Sequence, residues 1–154
     1  MTHPARPPNP SDQTLYEQDY VRWLEETAHH LGQKFFDRLD LFNLIEEMED
    51  MGRSEKRSIE SNLRIILMHL LEWQYQLEQR SGSWRGSIAE HRIRIRKSLK
   101  ESPSLKPYLT EVFAESYQDT VHIASQETGI PTHQFPTVCE WSLQQILDEE
   151  WIPN

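Results

Sequence analysis

The stretch Ser54–Gln79, SEKRSIESNLRIILMHLLEWQYQLEQ, decides the fold. Apolar residues recur in it every three or four positions, which is the spacing of one face of an α-helix. Its middle part, Ile65–Leu71, is apolar almost all round and is interrupted only by His69. Because such a helix is buried on several sides, we expect it to lie at the centre of a bundle. Its main stripe comprises Ile59, Leu63, Ile66, Leu70, Trp73 and Leu77.

Two further helices are predicted before this stretch. The first covers residues 13–31 and ends at Gly32, a residue type that commonly terminates helices. The second begins after Asp40, a favourable N-cap, and ends at Gly52. The stripes expected to face the core are Tyr16, Tyr20, Trp23, Leu24 and Leu31 in the first helix, and Leu41, Leu44, Ile45 and Met48 in the second.

Three more helices are predicted after it. The fourth covers residues 84–101, and the fifth begins at Ser104 and ends at Gly129. A short helix, 143–147, follows Ser142 and Gln145, which have the spacing of a capping box. We expect the last residues, 151–153, to pack back on the bundle. The inner faces comprise Trp84, Ile88, Ile95 and Leu99 in the fourth helix, and Leu105, Leu109, Val112, Phe113, Ser116, Thr120 and Ile123 in the fifth.

These segments predict an all-α protein, a single compact bundle of about five helices plus a short C-terminal helix. The chain has 154 residues with only five glycines, and no stretch of alternating polar and apolar residues suggests a sheet. Residues 1–13 contain four prolines and are predicted to be a flexible arm. We expect residues 14–154 to form a single helical domain.

The amino-acid composition of the chain disfavours several classes of function. A net charge of −9 disfavours general binding to nucleic acid, which requires a surplus of Lys and Arg. Neither a secretory signal nor an apolar run long enough to cross a membrane is found in the sequence. Cys139 is the only cysteine and therefore cannot form an intramolecular disulfide. These features predict a cytoplasmic protein with no membrane association.

Two acid-x-x-His elements resemble the ligand pairs of dimetal sites in helical bundles, namely Glu26 with His29 and Asp119 with His122. A helical projection turns both histidines away from the apolar centres of their helices. Metal ligands in a bundle point inward, so the projection favours two solvated faces over a metal site. We assign no metal ligand and expect no cofactor.

His69 is the polar residue in the most apolar part of the chain. It is either a core histidine hydrogen-bonded to a neighbouring helix, or a residue of a small pocket or a metal ligand. Arg92 lies near the apolar centre of the fourth helix, so it should meet protein rather than solvent. If Glu46 or Glu47 reaches Arg92, the resulting ion pair would be partly buried, and such a pair is either structural or part of a site.

The fourth helix is locally basic. Between Arg80 and Lys100 the sequence carries seven Lys and Arg against the single acid Glu90. One hypothesis is a phosphate-binding face, on which Arg94 and Lys97 would project away from the core. The alternative is an internal charge complement to the acidic second helix, and the net charge of the whole chain favours that alternative.

Several motifs resemble a known family. Tyr16-Glu17-Gln18-Asp19, Ile45–Gly52 (IEEMEDMG), His69–Gln74 (HLLEWQ) and Ser83-Trp84-Arg85 are similar to segments of the bacterial domain-of-unknown-function family twenty-nine. The resemblance covers nearly the whole chain after the proline-rich arm. It implies a single all-helical domain, and it brings no established activity, substrate or cofactor. It also implies that His69, Trp73, Trp84 and Arg85 belong to the family pattern.

We interpret the protein as a non-enzymatic interaction or regulatory module with a protein partner or a second copy of itself as its target. No catalytic residue is assigned, because Cys139 has no activating base near it in sequence. One alternative is a small-molecule or metal-binding site centred on His69. A minor alternative is nucleic-acid binding through the fourth helix. The candidate polar cluster comprises Glu46, Glu47, His69, Trp73, Trp84, Arg85 and Arg92.

Overall fold

A computed structural model describes residues 13–154, and all regular elements in that range are helical, which confirms the all-α prediction. The predicted arm lies outside the described residues apart from Gln13. Three short 3₁₀ turns, Phe36–Arg38, Leu77–Gln79 and Thr132–Gln134, accompany the α-helices. The helices are α1 (Leu15–Gln18), α2 (Tyr20–Gly32), α3 (Leu41–Tyr75), α4 (Gly82–Glu101), α5 (Leu105–Thr128) and α6 (Leu143–Leu147).

The chain divides into two compact units. The first unit ends at Gly52, and the second unit is Arg53–Asn154. The boundary falls inside α3, so this helix contributes its first three turns to the first unit and the remainder to the second. The single helical domain expected over residues 14–154 stays a prediction.

Gly52 does not end a helix, and this expectation was wrong. The predicted second and third helices are one helix of 35 residues. Gly129 is the only described glycine with a positive φ, at 75°, and it ends α5 as predicted. A glycine that keeps helical dihedrals costs a helix only about 1 kcal/mol relative to alanine, which good helix formers on both sides can offset.

The predicted first helix is interrupted at Asp19. This residue has extended dihedrals, φ −152° and ψ 91°, and so separates α1 from α2. Its carboxylate accepts a hydrogen bond from the backbone N–H of Arg22 at 3.0 Å, which caps the first turn of α2. Asp40 caps α3 in the same way by accepting from the backbone N–H of Asn43 at 3.2 Å, as the sequence predicted for this position.

The core of the second unit forms around α3, as predicted. Four members of the main stripe of α3 are fully buried, namely Ile59, Leu63, Ile66 and Leu70. Trp73 is half-buried. Leu77 is exposed because α3 ends at Tyr75, two residues before the stripe would reach it.

The other helices of the second unit supply the expected core residues. Ile88 and Ile95 of α4 and Leu105 and Leu109 of α5 are buried, whereas Ile123, which was also expected on the inner face of α5, is exposed. The chain then returns onto this core, where Ile152 packs against the cluster and the Trp151 ring lies 5.6 Å from that of Trp141. The short helix α6 carries the predicted capping box at Ser142 and Gln145. The short helix over residues 143–147 and the returning C-terminus are therefore confirmed.

The first unit buries far less of its apolar surface than predicted. In α2, Trp23 is buried and lies against the rings of Tyr16 and Tyr20, with centroids 4.9 and 6.1 Å apart. Tyr20 itself and most of the predicted core stripes are exposed. In the described part of this unit, residues 13–52, α1, α2 and one 3₁₀ turn accompany the start of α3, and they cover few of its apolar side chains. The exposed members of the two stripes are Tyr20, Leu24, Leu31, Leu41, Ile45 and Met48.

Candidate functional site

The seven residues of the predicted polar cluster occupy both units. Glu46 and Glu47 belong to the first unit, and the remaining five belong to the second. Glu47 has hydrogen bonds within the first unit, and Trp73 has ring contacts within the second.

Glu47 is the acceptor for two tyrosines. The hydroxyl groups of Tyr16 and Tyr20 donate to its two carboxylate oxygens at 2.5 and 2.7 Å. These bonds favour the protonated phenols, so they raise the pKa of Tyr16 to about 12 and also raise the pKa of Tyr20. Glu47 therefore links α1 and α2 to α3, whereas Glu46 is exposed.

His69 bonds to its own helix. Its Nδ1 atom lies 2.7 Å from a carboxylate oxygen of Glu72, three residues further along α3, and Glu72 is buried. The expected partner was a neighbouring helix, so that detail was wrong. At a spacing of three residues two side chains share a helix face, so this partner was readable from the sequence.

Trp73 and Arg85 are brought together, and Arg80 joins them. The Arg80 Nε–H donates to the carbonyl oxygen of Trp73 at 2.8 Å, and the Arg80 guanidinium lies 4.7 Å from the Trp73 ring centroid. The Arg85 guanidinium lies 5.7 Å from the same ring. Trp84 is half-buried, and its backbone N–H donates to the Ser81 hydroxyl that caps α4. The role of Arg80 was missed, because α3 ends at Tyr75 and helical spacing therefore does not relate Arg80 to Trp73.

Arg92 is buried against protein, as its position on α4 predicted. Its side chain is 5 % exposed, and Nε–H donates to the carbonyl oxygen of Ile146 at 2.7 Å. Desolvation lowers the pKa of Arg92, and the charge of Asp148 opposes that effect. Its pairing with Glu46 or Glu47 stays a prediction.

The exterior of α4 carries the other basic residues. Arg94 and Lys97 are exposed, as predicted. Arg94 Nε–H donates to Glu90 at 2.9 Å, and Arg96 pairs with Glu149. Carboxylates of the second unit itself therefore engage two of the arginines on this helix.

The two acid-x-x-His elements have the predicted orientation, since His29 and His122 are both exposed. Among residues 13–154 no group of three or more His, Cys, Asp or Glu side chains is placed to hold a metal ion. Cys139 is half-buried, and its burial raises the pKa of the thiol, which disfavours the reactive thiolate.

The most unusual surface includes three residues that were predicted to be core, Leu41, Ile45 and Met48. In the part of the chain that the structure describes, fourteen large hydrophobic side chains are exposed, and eleven of them lie in residues 13–52. Five belong to the start of α3, where Phe42 is 74 %, Ile45 54 % and Met48 65 % exposed. We call this set the N-terminal apolar face. It comprises Leu41, Phe42, Ile45, Met48 and Met51.

The same unit carries most of the negative charge. Residues 13–52 contain ten Asp and Glu but only three Lys and Arg, a net charge of −7 out of −9 for the whole chain. Glu46 and Glu49 lie on the same three turns of α3 as the N-terminal apolar face. The exposed apolar side chains are therefore set in strongly acidic surroundings.

Comparison with known proteins identifies the family of this chain. A search of curated proteins and a search of solved structures found no match. No helix within residues 13–154 combines the length and the hydropathy needed to cross a membrane. The family described as "Domain of unknown function DUF29" matches residues 15–152. Because this match covers almost the entire sequence, including the helices that carry Glu47, His69, Trp73 and Arg92, the chain belongs to the DUF29 family.

Proposed function

We propose that this protein is an interaction module, and that the N-terminal apolar face binds an amphipathic helix of a partner protein whose apolar side is bordered by Lys and Arg. The observation that carries the proposal is the exposure of five large apolar side chains on three consecutive turns of α3. Exposed apolar clusters of this kind mark interaction surfaces in soluble proteins.

The spacing of the face favours a helix as the ligand. Leu41, Ile45 and Met48 follow one another at intervals of four and three residues, so they form a ridge along α3. A ridge of this kind packs into the groove between the side chains of another helix. Helix-in-groove recognition uses the same anchor spacing on the ligand.

The charge of the unit favours a basic ligand. With a net charge of −7 in residues 13–52, the first unit attracts cationic side chains and repels anionic ones. Lys and Arg at the border of the ligand's apolar side would meet Glu46 and the other acids of α3. Their long aliphatic stems would also cover apolar surface while the charged ends stay in water.

A second copy of this chain fits the face less well. In a twofold dimer the same patch meets itself, so the acidic border of one copy would face the acidic border of the other. Like charges brought together in this way oppose association. A partner with the opposite charge avoids this cost.

Synthetic helices test the proposal directly. One peptide carries a Leu face bordered by Lys, the second carries the same Leu face bordered by Glu, and the third keeps the Lys but has Ser in place of Leu. We expect the first to bind measurably more tightly than both others in fluorescence anisotropy, and its affinity to fall as salt is added. The third peptide separates recognition of the apolar face from simple attraction to an acidic protein.

Variants locate the binding surface. Phe42→Ser and Ile45→Ser should each weaken binding of the Lys-bordered peptide about tenfold, the usual effect of removing an interface anchor. Val138→Ser is the matched control, because Val138 is 75 % exposed in the second unit and its change should leave the affinity unaltered. Equal affinity of wild type and Phe42→Ser would contradict the proposal. A wild-type dimer that Phe42→Ser converts to monomer would identify a second copy as the occupant and would also overturn it.

A further inference from the structure

Two of the three methionines in residues 13–154 are exposed, and both lie on the N-terminal apolar face. Met48 is 65 % and Met51 58 % exposed, whereas Met68, in the second unit, is half-buried. Because the two exposed methionines are three residues apart within α3, their side chains share one face of the helix. Both side chains are therefore open to small oxidants in solution, and both contact any helix that binds this face.

We propose that Met48 and Met51 form a redox-sensitive modification site, at which oxidation to methionine sulfoxide weakens binding of the partner helix. This inference rests on the proposed function. The oxidant is a neutral peroxide. The thioether sulfur attacks one peroxide oxygen, the O–O bond breaks, an S–O bond forms, and the sulfur loses two electrons. The departing oxygen takes the proton of the transferred oxygen and leaves as water or an alcohol.

The charge of the first unit favours a neutral oxidant. Residues 13–52 carry a net charge of −7, and Glu46 is exposed on the same turns of α3 as the two methionines. This charge repels anionic oxidants, whereas hydrogen peroxide and organic hydroperoxides are uncharged at neutral pH. The thiol of Cys139 competes poorly for them, because its burial raises its pKa and so leaves little of the reactive thiolate.

Oxidation makes part of the N-terminal apolar face polar. The sulfoxide oxygen accepts hydrogen bonds, which water supplies in the free protein. Met48 continues the ridge of Leu41 and Ile45, so the apolar side of a bound helix would cover the sulfoxide and displace this water. A polar group that is buried without a hydrogen bond opposes association. We therefore expect binding to weaken about tenfold or more.

Peptide mapping after peroxide treatment tests the reaction itself. Full-length protein is treated with hydrogen peroxide under conditions that leave its circular dichroism unchanged. Trypsin cleaves after Lys and Arg, so Met48 and Met51 share the fragment 39–53 and Met68 lies in the fragment 65–80. Mass spectrometry should show two added oxygen atoms in the first fragment before one appears in the second. Equal or earlier oxidation of Met68 would refute the selectivity on which the site depends.

Fluorescence anisotropy with the Lys-bordered peptide tests the consequence of the reaction. Oxidised wild type should bind about tenfold more weakly than untreated wild type. The double variant Met48→Leu, Met51→Leu should bind equally before and after treatment, because leucine has a similar volume and no thioether. Met68→Leu and Cys139→Ser are the matched controls, and both should lose affinity on treatment as the wild type does. Loss of affinity in the double variant as well would overturn the proposal.

The untreated protein separates this proposal from the proposed function. If untreated wild type binds the peptide and oxidation of both methionines leaves the affinity unchanged, the proposed function stands and the modification site is wrong. If untreated wild type does not bind, the proposed function is wrong, and this inference fails with it even where the peptide map shows both sulfoxides.

Discussion

Replacing Gly52 by alanine tests whether α3 runs without interruption from Leu41 to Tyr75. Gly52 lies within the helix, and a methyl group added there meets no atom within 4 Å. The change therefore adds no packing and no clash, and its effect reduces to helix propensity. We expect Gly52→Ala to raise the free energy of unfolding by about 1 kcal/mol.

The assay is urea-induced unfolding, monitored by far-ultraviolet circular dichroism. For a denaturant dependence of about 1–3 kcal/mol per molar, this gain moves the midpoint upward by about 0.3–1 M. Because Gly52 lies at the boundary between the units, local amide exchange is the second readout. Exchange of the flanking amides should slow about fivefold if they open locally, since local opening has its own free energy.

Gly129→Ala is the matched comparison and should have the opposite sign. Gly129 has φ 75°, and alanine in this left-handed conformation costs about 1–2 kcal/mol. Lower stability in Gly52→Ala as well would mean that Gly52 ends a helix. In that case the continuity of α3 would be wrong.

Two further predictions concern the separate units. Glu47→Gln should lower the pKa of Tyr16 from about 12 toward its ordinary value of 10.0. A pH titration of the tyrosine ring resonances measures this pKa, and an unchanged titration midpoint for Tyr16 would refute the hydrogen bond. In the wild type, the stabilisation from this raised pKa is complete below pH 10 and is lost as the pH rises toward 12. Leu67→Ala should reduce the free energy of unfolding by about 2–5 kcal/mol, because Leu67 is fully buried. Leu77→Ala should change it by less than about 0.5 kcal/mol, and similar losses in both variants would contradict the core assignment.

Hydrophobic periodicity predicted the second unit well. The stripe through Ile59 and Leu70 is buried, and the caps at Ser142 and Gly129 lie where the sequence placed them. Such signals are local, because spacing, capping and a positive φ depend on a few neighbouring residues. Glycine at position 52 permits a break in a helix but does not require one, so the rule that glycine ends a helix fails there.

Periodicity could not predict which apolar stripes are covered. Leu41, Ile45 and Met48 have the same spacing as the buried stripe, yet they are exposed. Burial depends on what other elements supply, and the sequence of one helix carries no such information. The exposure of this stripe in an acidic unit is what suggests a function.

The polar candidates illustrate a similar limit. The burial of Arg92 followed from its place on the inner side of α4, but its contact with the Ile146 carbonyl joins residues 54 positions apart. The bond between His69 and Glu72 could be predicted from the sequence, since the two residues share a helix face. Long-range partners require the fold, whereas partners on one helix require only its periodicity.

Methionine methyl resonances provide the most direct test of the proposed interaction. Met48 and Met51 lie on the N-terminal apolar face, and Met68 lies in the second unit. On addition of the Lys-bordered helical peptide to methyl-labelled protein, we predict that the signals of Met48 and Met51 shift and that the signal of Met68 stays in place. If the first two signals do not move under saturating peptide, or if they move only when the protein itself is concentrated, the proposed interaction is wrong.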